Sequence, residues 1–373
     1  MRVLHVMSDI RRGGRERQLF VLIHYSPPEM EHHIAVFHNM GNDYLNEYNI
    51  PKIKFLKNNK LLRFYDLYKY VKENKIDLIH SWGNSETIYS IPARLFLKKT
   101  LLNGSVLHGV RKQKLSHYFR SFILRRSKYI LANSFAGLYT NKIKVNNERH
   151  FVIHNGVEDK FFVRKNFEKR KQFNSEKNLT DDAIIFISIA NFHPYKEYFT
   201  PLEVIASLVK EGVHLHYIIV GWGPLEKAIN DYIVHLNLGD KVTIYSNRPY
   251  IPDILSISDI MLHSSEGEGC SNAILEAKAA GCIVVASETG GTPEIVGSKD
   301  FLFEYKNRED LTAKIKAAVK SFNTDPDIRS KIQEETRSRH SVMKYYNQYK
   351  AVLEKITPNG NFKTNLIQEY KNL

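Results

Sequence analysis

Strand-length apolar runs alternate with amphipathic stretches in the first part of the chain, at residues 3–7, 15–23, 33–37, 61–71 and 76–80. That alternation predicts a parallel sheet covered by helices. The same grammar restarts at 184–190, continues through 215–220 and 242–245, and ends at 283–286. Between the two blocks lies 164–182, charged and weakly apolar, which reads as a linker. The expected class is α/β, with two Rossmann-like β/α/β domains, one over 1–163 and one over 183–341. Open parallel sheets bind ligands beyond their strand C-termini, so two such sheets facing one another predict a deep cleft as the site. A final helix near 342–356, in the segment 342–373, carries Tyr345, Tyr346, Tyr349, Val352 and Leu353 at helical spacing. Its periodicity allows packing on either domain.

The 373 residues suffice for two domains that each bury a core. A hydrophobic content of 43% with 12% aromatics excludes a disordered chain. No apolar run approaches the ~20 residues that a membrane-spanning helix needs. The start, Met1 to Asp9, reads as a short strand entering a polar loop rather than as a secretory leader. Two cysteines, Cys270 and Cys282, suggest no disulfide framework, so a reducing cytoplasmic setting is expected, extending to the inner face of the cell membrane.

Charge changes the picture more. The net charge is +14, yet residues 1–160 hold 27 Lys and Arg against 13 Asp and Glu, while residues 161–373 hold 27 of each. A basic excess confined to the first domain predicts an anionic partner there: a membrane, a lipid-phosphate acceptor or a nucleic acid. Segment 111–128 concentrates seven cations beside a stripe of Leu115, Tyr118, Phe119, Phe122 and Ile123. Such a segment either makes peripheral contact with an anionic membrane, at about 1 kcal/mol per nearby cation, or packs its stripe on the sheet and leaves the cations solvated.

The chemistry concentrates in Glu268-Gly-Cys-Ser-Asn-Ala-Ile-Leu-Glu276, read as a loop entering a short helix that stops at Gly281. The two carboxylates flank the N–H groups of Cys270 to Ala273. A helix start favours an anion by about 0.3–1 kcal/mol. An anion held between two carboxylates predicts a ligand carrying both phosphate and hydroxyls, and a nucleotide sugar is such a ligand.

This segment resembles the E-x7-E signature of retaining glycosyltransferase family 4, the glycosyl transferases group 1. Further echoes follow in family order: Gly13-Gly14, His108-Gly109, Asn133-Ser134, Asn155-Gly156, Lys196, Gly221 with Gly223, Ser258-Asp259 and Gly290-Gly291. The resemblance implies the two-lobed GT-B fold, with a C-terminal helix crossing back to the first domain. It implies retaining transfer of a hexose-type sugar from a nucleotide diphosphate, UDP or GDP, to an acceptor hydroxyl. The leaving phosphate oxygen would take the acceptor proton in a front-face attack. Catalytic roles fall on His108, Lys196 and Glu268. Donor-binding roles fall on Gly13, Gly14, Asn191, His193, Gly269, Cys270, Ser271, Asn272, Ala273 and Glu276, with Glu276 accepting the ribose hydroxyls. The family places an Arg where this chain has Asn191. Asparagine brings no charge, so His193 or a basic group of the first domain would have to help Lys196, or donor affinity is low.

No metal or other cofactor is expected, the nucleotide sugar being a co-substrate. The Asp-x-Asp pair Asp325-Pro326-Asp327 reads as a helix N-cap with Pro at the first helical position rather than as a metal ligand. Gly221-Trp-Gly223-Pro224 resembles a dinucleotide fingerprint, but Glu226 stands at the third glycine position, against a nicotinamide enzyme. The expected partners are the nucleotide sugar and a glycan or lipid-linked acceptor in cell-surface polysaccharide, lipopolysaccharide, capsule or glycolipid synthesis. Two rivals remain. A nucleotide-sugar epimerase of similar fold would interconvert donors without an acceptor. A basic nucleic-acid-binding protein would lose affinity steeply with salt, and the lack of a recognised nucleic-acid module speaks against that partner.

Overall fold

A computed structural model of the chain describes residues 1–11, 13–38, 47–48, 52–106, 122–146, 148–246 and 249–357. It divides into two compact units, Met1–Gly156 together with the segment from Val342, and Val157–Ser341.

Among the described residues the first unit holds a seven-stranded sheet: β1 (Arg2–Met7), β2 (Glu31–Val36), β3 (Ile53–Phe55), β4 (Leu78–Ser81), β5 (Thr100–Val106), β6 (Tyr129–Ala132) and β7 (His150–Val152). Every pairing is parallel, in the order β3-β2-β1-β4-β5-β6-β7. Both faces of such a sheet are covered, which is why its strands read as nearly continuous apolar runs. On one face Leu4, Val6 and Ile79 meet Leu67, Val71 and Ala93 of helices α2 (Lys60–Glu73) and α3 (Asn84–Phe96). On the other, Val3, Leu78 and Leu102 meet Leu22 of α1 (Gly14–His24) and the apolar stripe of the helix Val342–Ile356. The C-terminal helix therefore crosses back to the first unit. Tyr349 is fully buried there and bonds through its hydroxyl to His80 Nδ1 at 2.8 Å.

The second unit holds a six-stranded parallel sheet among its described residues: β8 (Ile184–Ile189), β9 (Leu215–Val220), β10 (Val242–Tyr245), β11 (Ile260–His263), β12 (Ile283–Ser287) and β13 (Leu302–Phe303). Its order, β10-β9-β8-β11-β12-β13, repeats that of the first sheet. Alternation splits each strand between two cores. Phe186, Tyr217, Ile219 and Leu262 face one side, and Ile185, Ile187, Ile218 and Met261 the other. In both sheets the strand order reverses once, between β1 and β4 in the first and between β8 and β11 in the second. At such a reversal the two flanking crossovers leave in opposite directions and open a crevice at the strand C-termini.

Two expectations need correction. The segment 164–182 is not a bare linker, because it carries the helix Phe167–Glu176 and lies within the second unit. Asn166 caps that helix by accepting from Lys169 N at 2.9 Å, Arg170 donates to Asp259 Oδ2 at 2.8 Å and to the carbonyls of Ile257 and Ala183, and Phe173 is buried. One arginine and one phenylalanine anchor a helix that otherwise looks solvated. The Asp-x-Asp segment also sits differently. The late helix starts at Ile328, its N-cap Asp327 makes no side-chain cap bond, and Pro326 precedes the cap. Asp325 instead accepts from Asp327 N and Lys331 Nζ.

Candidate functional site

The crevice position of the second sheet is built by the segments leaving β8 and β11. After β8 the chain runs through Asn191, Phe192 and His193 into a 3₁₀ turn, Pro194–Lys196. Phe192 is fully buried and pins this loop to the core. The exit of β9 packs closely beneath it. A Cβ on Gly221 would lie 2.0 Å from the Ala190 carbonyl oxygen, and one on Gly223 would lie 2.9 Å from Phe192 N, with φ +150° besides. The Gly-Trp-Gly pattern thus serves backbone contact between two loops.

Ser264 and Ser265, which follow β11, tie the two segments together. Ser264 Oγ donates to the carbonyls of Lys196, at 3.2 Å, and Glu197; Ser265 Oγ donates to Tyr195 O at 3.3 Å; and Glu266 N donates to the same oxygen at 2.7 Å. Glu197 is held at φ +43°, a left-handed conformation that a non-glycine residue adopts at a cost of about 1–2 kcal/mol. Its buried carboxylate accepts from Phe199 N and Thr200 N at the start of the next helix, which offsets that strain.

Lys196 and Glu268 meet in an ion pair at the centre of this arrangement, and His263 Nε2 lies 3.4 Å from the same Glu268 oxygen. Burial opposes ionisation of Glu268, but the charge of Lys196, with His263 beside it, overcomes that penalty and holds the carboxyl well below the usual carboxylate range. Glu268 is therefore an anion at neutral pH. Its backbone is gripped too: Gly291 N donates to Glu268 O at 2.8 Å, and a Cβ on Gly290, at φ +56°, would fall 2.3 Å from that oxygen. Gly269 and Cys270 then lead to Ser271, which opens the helix Asn272–Ala279 without a side-chain cap bond. The first-turn amides of any helix lack intrahelical acceptors and carry the positive end of its dipole.

Of the residues expected to act, Lys196 and Glu268 are in direct contact. Asn191 is exposed and His193 half-buried in the loop that carries Lys196, with the His193 ring stacked on Tyr195 at 5.8 Å. Gly269, Cys270, Ser271, Asn272 and Ala273 form the run into the helix, and Glu276 lies buried within it. Gly13 and Gly14 belong to the first unit, where Gly13 is the N-cap of α1 and a Cβ on it would lie 2.2 Å from Glu16 Oε2. His108 lies outside the described residues, as does most of 111–128. His263 escaped sequence reasoning, although it closes a strand that flanks the reversal point.

Residues 169–339 match the family described as glycosyl transferases group 1. Among curated relatives, the chain is 25% identical over 208 residues to N-acetyl-alpha-D-glucosaminyl L-malate synthase of Bacillus anthracis, covering 54% of each, so it spans about half the length of that relative. It is 23% identical over 368 residues to the N-acetylgalactosamine-N,N'-diacetylbacillosaminyl-diphospho-undecaprenol 4-alpha-N-acetylgalactosaminyltransferase of Campylobacter jejuni, covering 89% of this chain and 96% of that enzyme. Among solved structures, Anabaena Alr3699/HepE in complex with UDP superposes with a TM-score of 0.81 at 19% identity, over 95% of this chain and 99% of that one. Two Rossmann-like parallel sheets with this match define a GT-B protein. The match to the glycosyl transferases group 1 family lies within the second unit.

Proposed function

We propose that this protein is a retaining, metal-independent hexosyltransferase that moves a sugar from a nucleotide diphosphate to the hydroxyl of a glycan or lipid-linked acceptor. The observation that carries the reading is the Lys196–Glu268 pair at the reversal point between β8 and β11, immediately before the helix that begins at Asn272. UDP in the Anabaena structure and the diphospho-undecaprenol acceptor in the name of the Campylobacter enzyme support a UDP-linked donor and a lipid-linked acceptor.

The second unit takes the donor in this reading, and the first takes the acceptor. With the site empty, Glu268 neutralises Lys196. When donor binds, the ammonium turns to the diphosphate, whose negative charge grows as the bond to the anomeric carbon breaks. The amides that follow Glu268 share that charge. Preorganised charge of this kind is commonly the largest contribution to catalysis. Released from Lys196, the Glu268 carboxylate accepts hydroxyls of the donor sugar, and Glu276 accepts those of the ribose. The expected setting is the cytoplasm, with the basic first unit toward an anionic membrane.

A panel of nucleotide sugars incubated with the protein, with the anomeric signal followed by NMR, tests this reading. Turnover or slow hydrolysis of one donor with retained configuration is expected, and no binding or turnover across the panel overturns it. Glu276→Ala should weaken donor binding, and unchanged affinity removes that assignment.

A further inference from the structure

Lys278 belongs to the helix Asn272–Ala279, yet only 5% of its side chain is exposed, so a cation sits inside the second unit. Its ammonium donates to Ile295 O at 2.8 Å, to Val296 O at 3.0 Å and to Glu335 Oε2 at 3.2 Å. Burial pulls its pKa down, and the Glu335 carboxylate pushes it back up. A buried ammonium is costly unless its donors are used, and here all three are.

The two carbonyls close the short helix Thr292–Val296. The last carbonyls of a helix have no partner within it, and a cation suits the negative end of its dipole. Arg339 completes the arrangement by donating to Glu294 O at 3.4 Å and to Glu335 Oε1 at 2.9 Å. The last three carbonyls of this helix therefore each receive a side-chain donor from another helix. Its opposite end is the loop that holds Glu268. Gly291, the N-cap, donates to Glu268 O at 2.8 Å, and Gly290 packs against the same oxygen. So short a helix does not hold itself. Its place is set by the buried Ile295 and Val296 side chains and by the bonds from Lys278 and Arg339. Glu276 precedes Lys278 by two residues, about 200° round their helix, so carboxylate and ammonium serve different faces.

We infer that Lys278 is a positioning residue for donor recognition: it fixes the Thr292–Val296 helix, and through Gly290 and Gly291 the backbone of Glu268, without touching the donor. The inference rests on the transferase reading above, in which Glu268 accepts hydroxyls of the donor sugar and Glu276 those of the ribose. Loss of Lys278 should then weaken recognition of the sugar and spare that of the nucleotide, which a general loss of packing would not do.

Calorimetry on the full-length protein, well below the Tm of every variant, measures affinity for UDP and for UDP-glucose, UDP-galactose and UDP-N-acetylglucosamine. The UDP-sugar that the wild type binds most tightly is carried forward. Lys278→Met keeps the aliphatic stem and removes the ammonium. It should lower affinity for that UDP-sugar about ten-fold and leave affinity for UDP within about two-fold. On a Glu268→Gln background the same substitution should cost less than about two-fold, because its route to the sugar is already cut. Equal losses for UDP and the UDP-sugar, or no loss for either, overturn the inference. A ten-fold loss that persists with Glu268→Gln overturns it as well. Arg339→Ala, at a partly exposed position, carries the same test should the buried substitution not fold. It removes the bond to Glu294 O, so UDP-sugar binding about two- to three-fold weaker with UDP unchanged is expected, and unchanged binding of both overturns the inference. A wild-type protein that binds neither UDP nor any UDP-sugar overturns the transferase reading itself, and the role of Lys278 with it.

Discussion

The side chains of Lys196 and Glu268, 72 residues apart in sequence, form a single ion pair that joins the segment leaving β8 to the segment leaving β11. Each is only partly exposed, at 14% and 20% of its side chain. Replacing Lys196 with Ala removes the cation offered to the diphosphate and leaves Glu268 charged beside His263. The expected loss in kcat/KM is about 10²- to 10³-fold, as for one lost stabilising donor. Because the two groups act as a unit, Lys196→Ala with Glu268→Gln should cost much less than the sum of the single losses. Steady-state kinetics with a nucleotide sugar decide this, and additive losses speak against a shared role.

Gly290 is the position where a single methyl group should disturb the site. At φ +56° an alanine costs about 1–2 kcal/mol, and its Cβ would also collide with the Glu268 carbonyl. Gly290→Ala is expected to lower both Tm and kcat/KM. A large loss of stability with unchanged kinetics would mean that the grip on Glu268 does not matter for turnover.

Asp259 illustrates a motif residue that supports the fold. Fully desolvated, it accepts from Arg170 and Lys165 at 2.8 Å each and from Ile185 N at 2.9 Å. Asp259→Asn leaves two cations facing a neutral amide and should destabilise by about 3–5 kcal/mol. Denaturant unfolding measures the loss. The donor KM of the folded fraction should stay unchanged, and a shift in KM would move Asp259 into the site.

The first unit should soften in mild acid. Trp82 Nε1 donates to His5 Nδ1 at 3.2 Å, so the His5 proton sits on Nε2 and is donated to His32 Nδ1 at 2.9 Å. Burial, reinforced by neighbouring imidazoles, holds His5 well below its ordinary value of 6.5, and burial brings His32 to about 4 and His80 to about 3. The folded values lie below the unfolded one, so the unfolded chain takes up protons first. Stability from these groups is full above about pH 6.5 and declines as pH falls toward the folded values, by about 1.4 kcal/mol per histidine per pH unit. Denaturant midpoints at pH 7 and pH 5 test this, and His32→Gln should flatten the slope. A wild-type protein equally stable at both values would show that the histidines titrate normally.

Much of this protein is written in its apolar pattern. Apolar runs placed β1, β2 and β4 of the first sheet and β8, β9, β10 and β12 of the second, together with α1, α2 and the stripe of Tyr345, Tyr349 and Leu353, because burial on both faces of a parallel sheet leaves a local trace in sequence. The spacing of Glu268 and Glu276 around a helix start pointed to a phosphate- and hydroxyl-bearing ligand by the same local logic. Tertiary structure alone decided what depends on contacts between distant segments. It sent the last helix to the first unit, turned the expected linker into a packed helix through Arg170, and paired Lys196 with Glu268 next to His263. It also buried Glu86 beside the Arg15 guanidinium, 71 residues away in sequence. Periodicity fixes which residues of an element are buried, but the partner that buries them, and the charge that meets a given charge, follow from strand order, which no local pattern encodes.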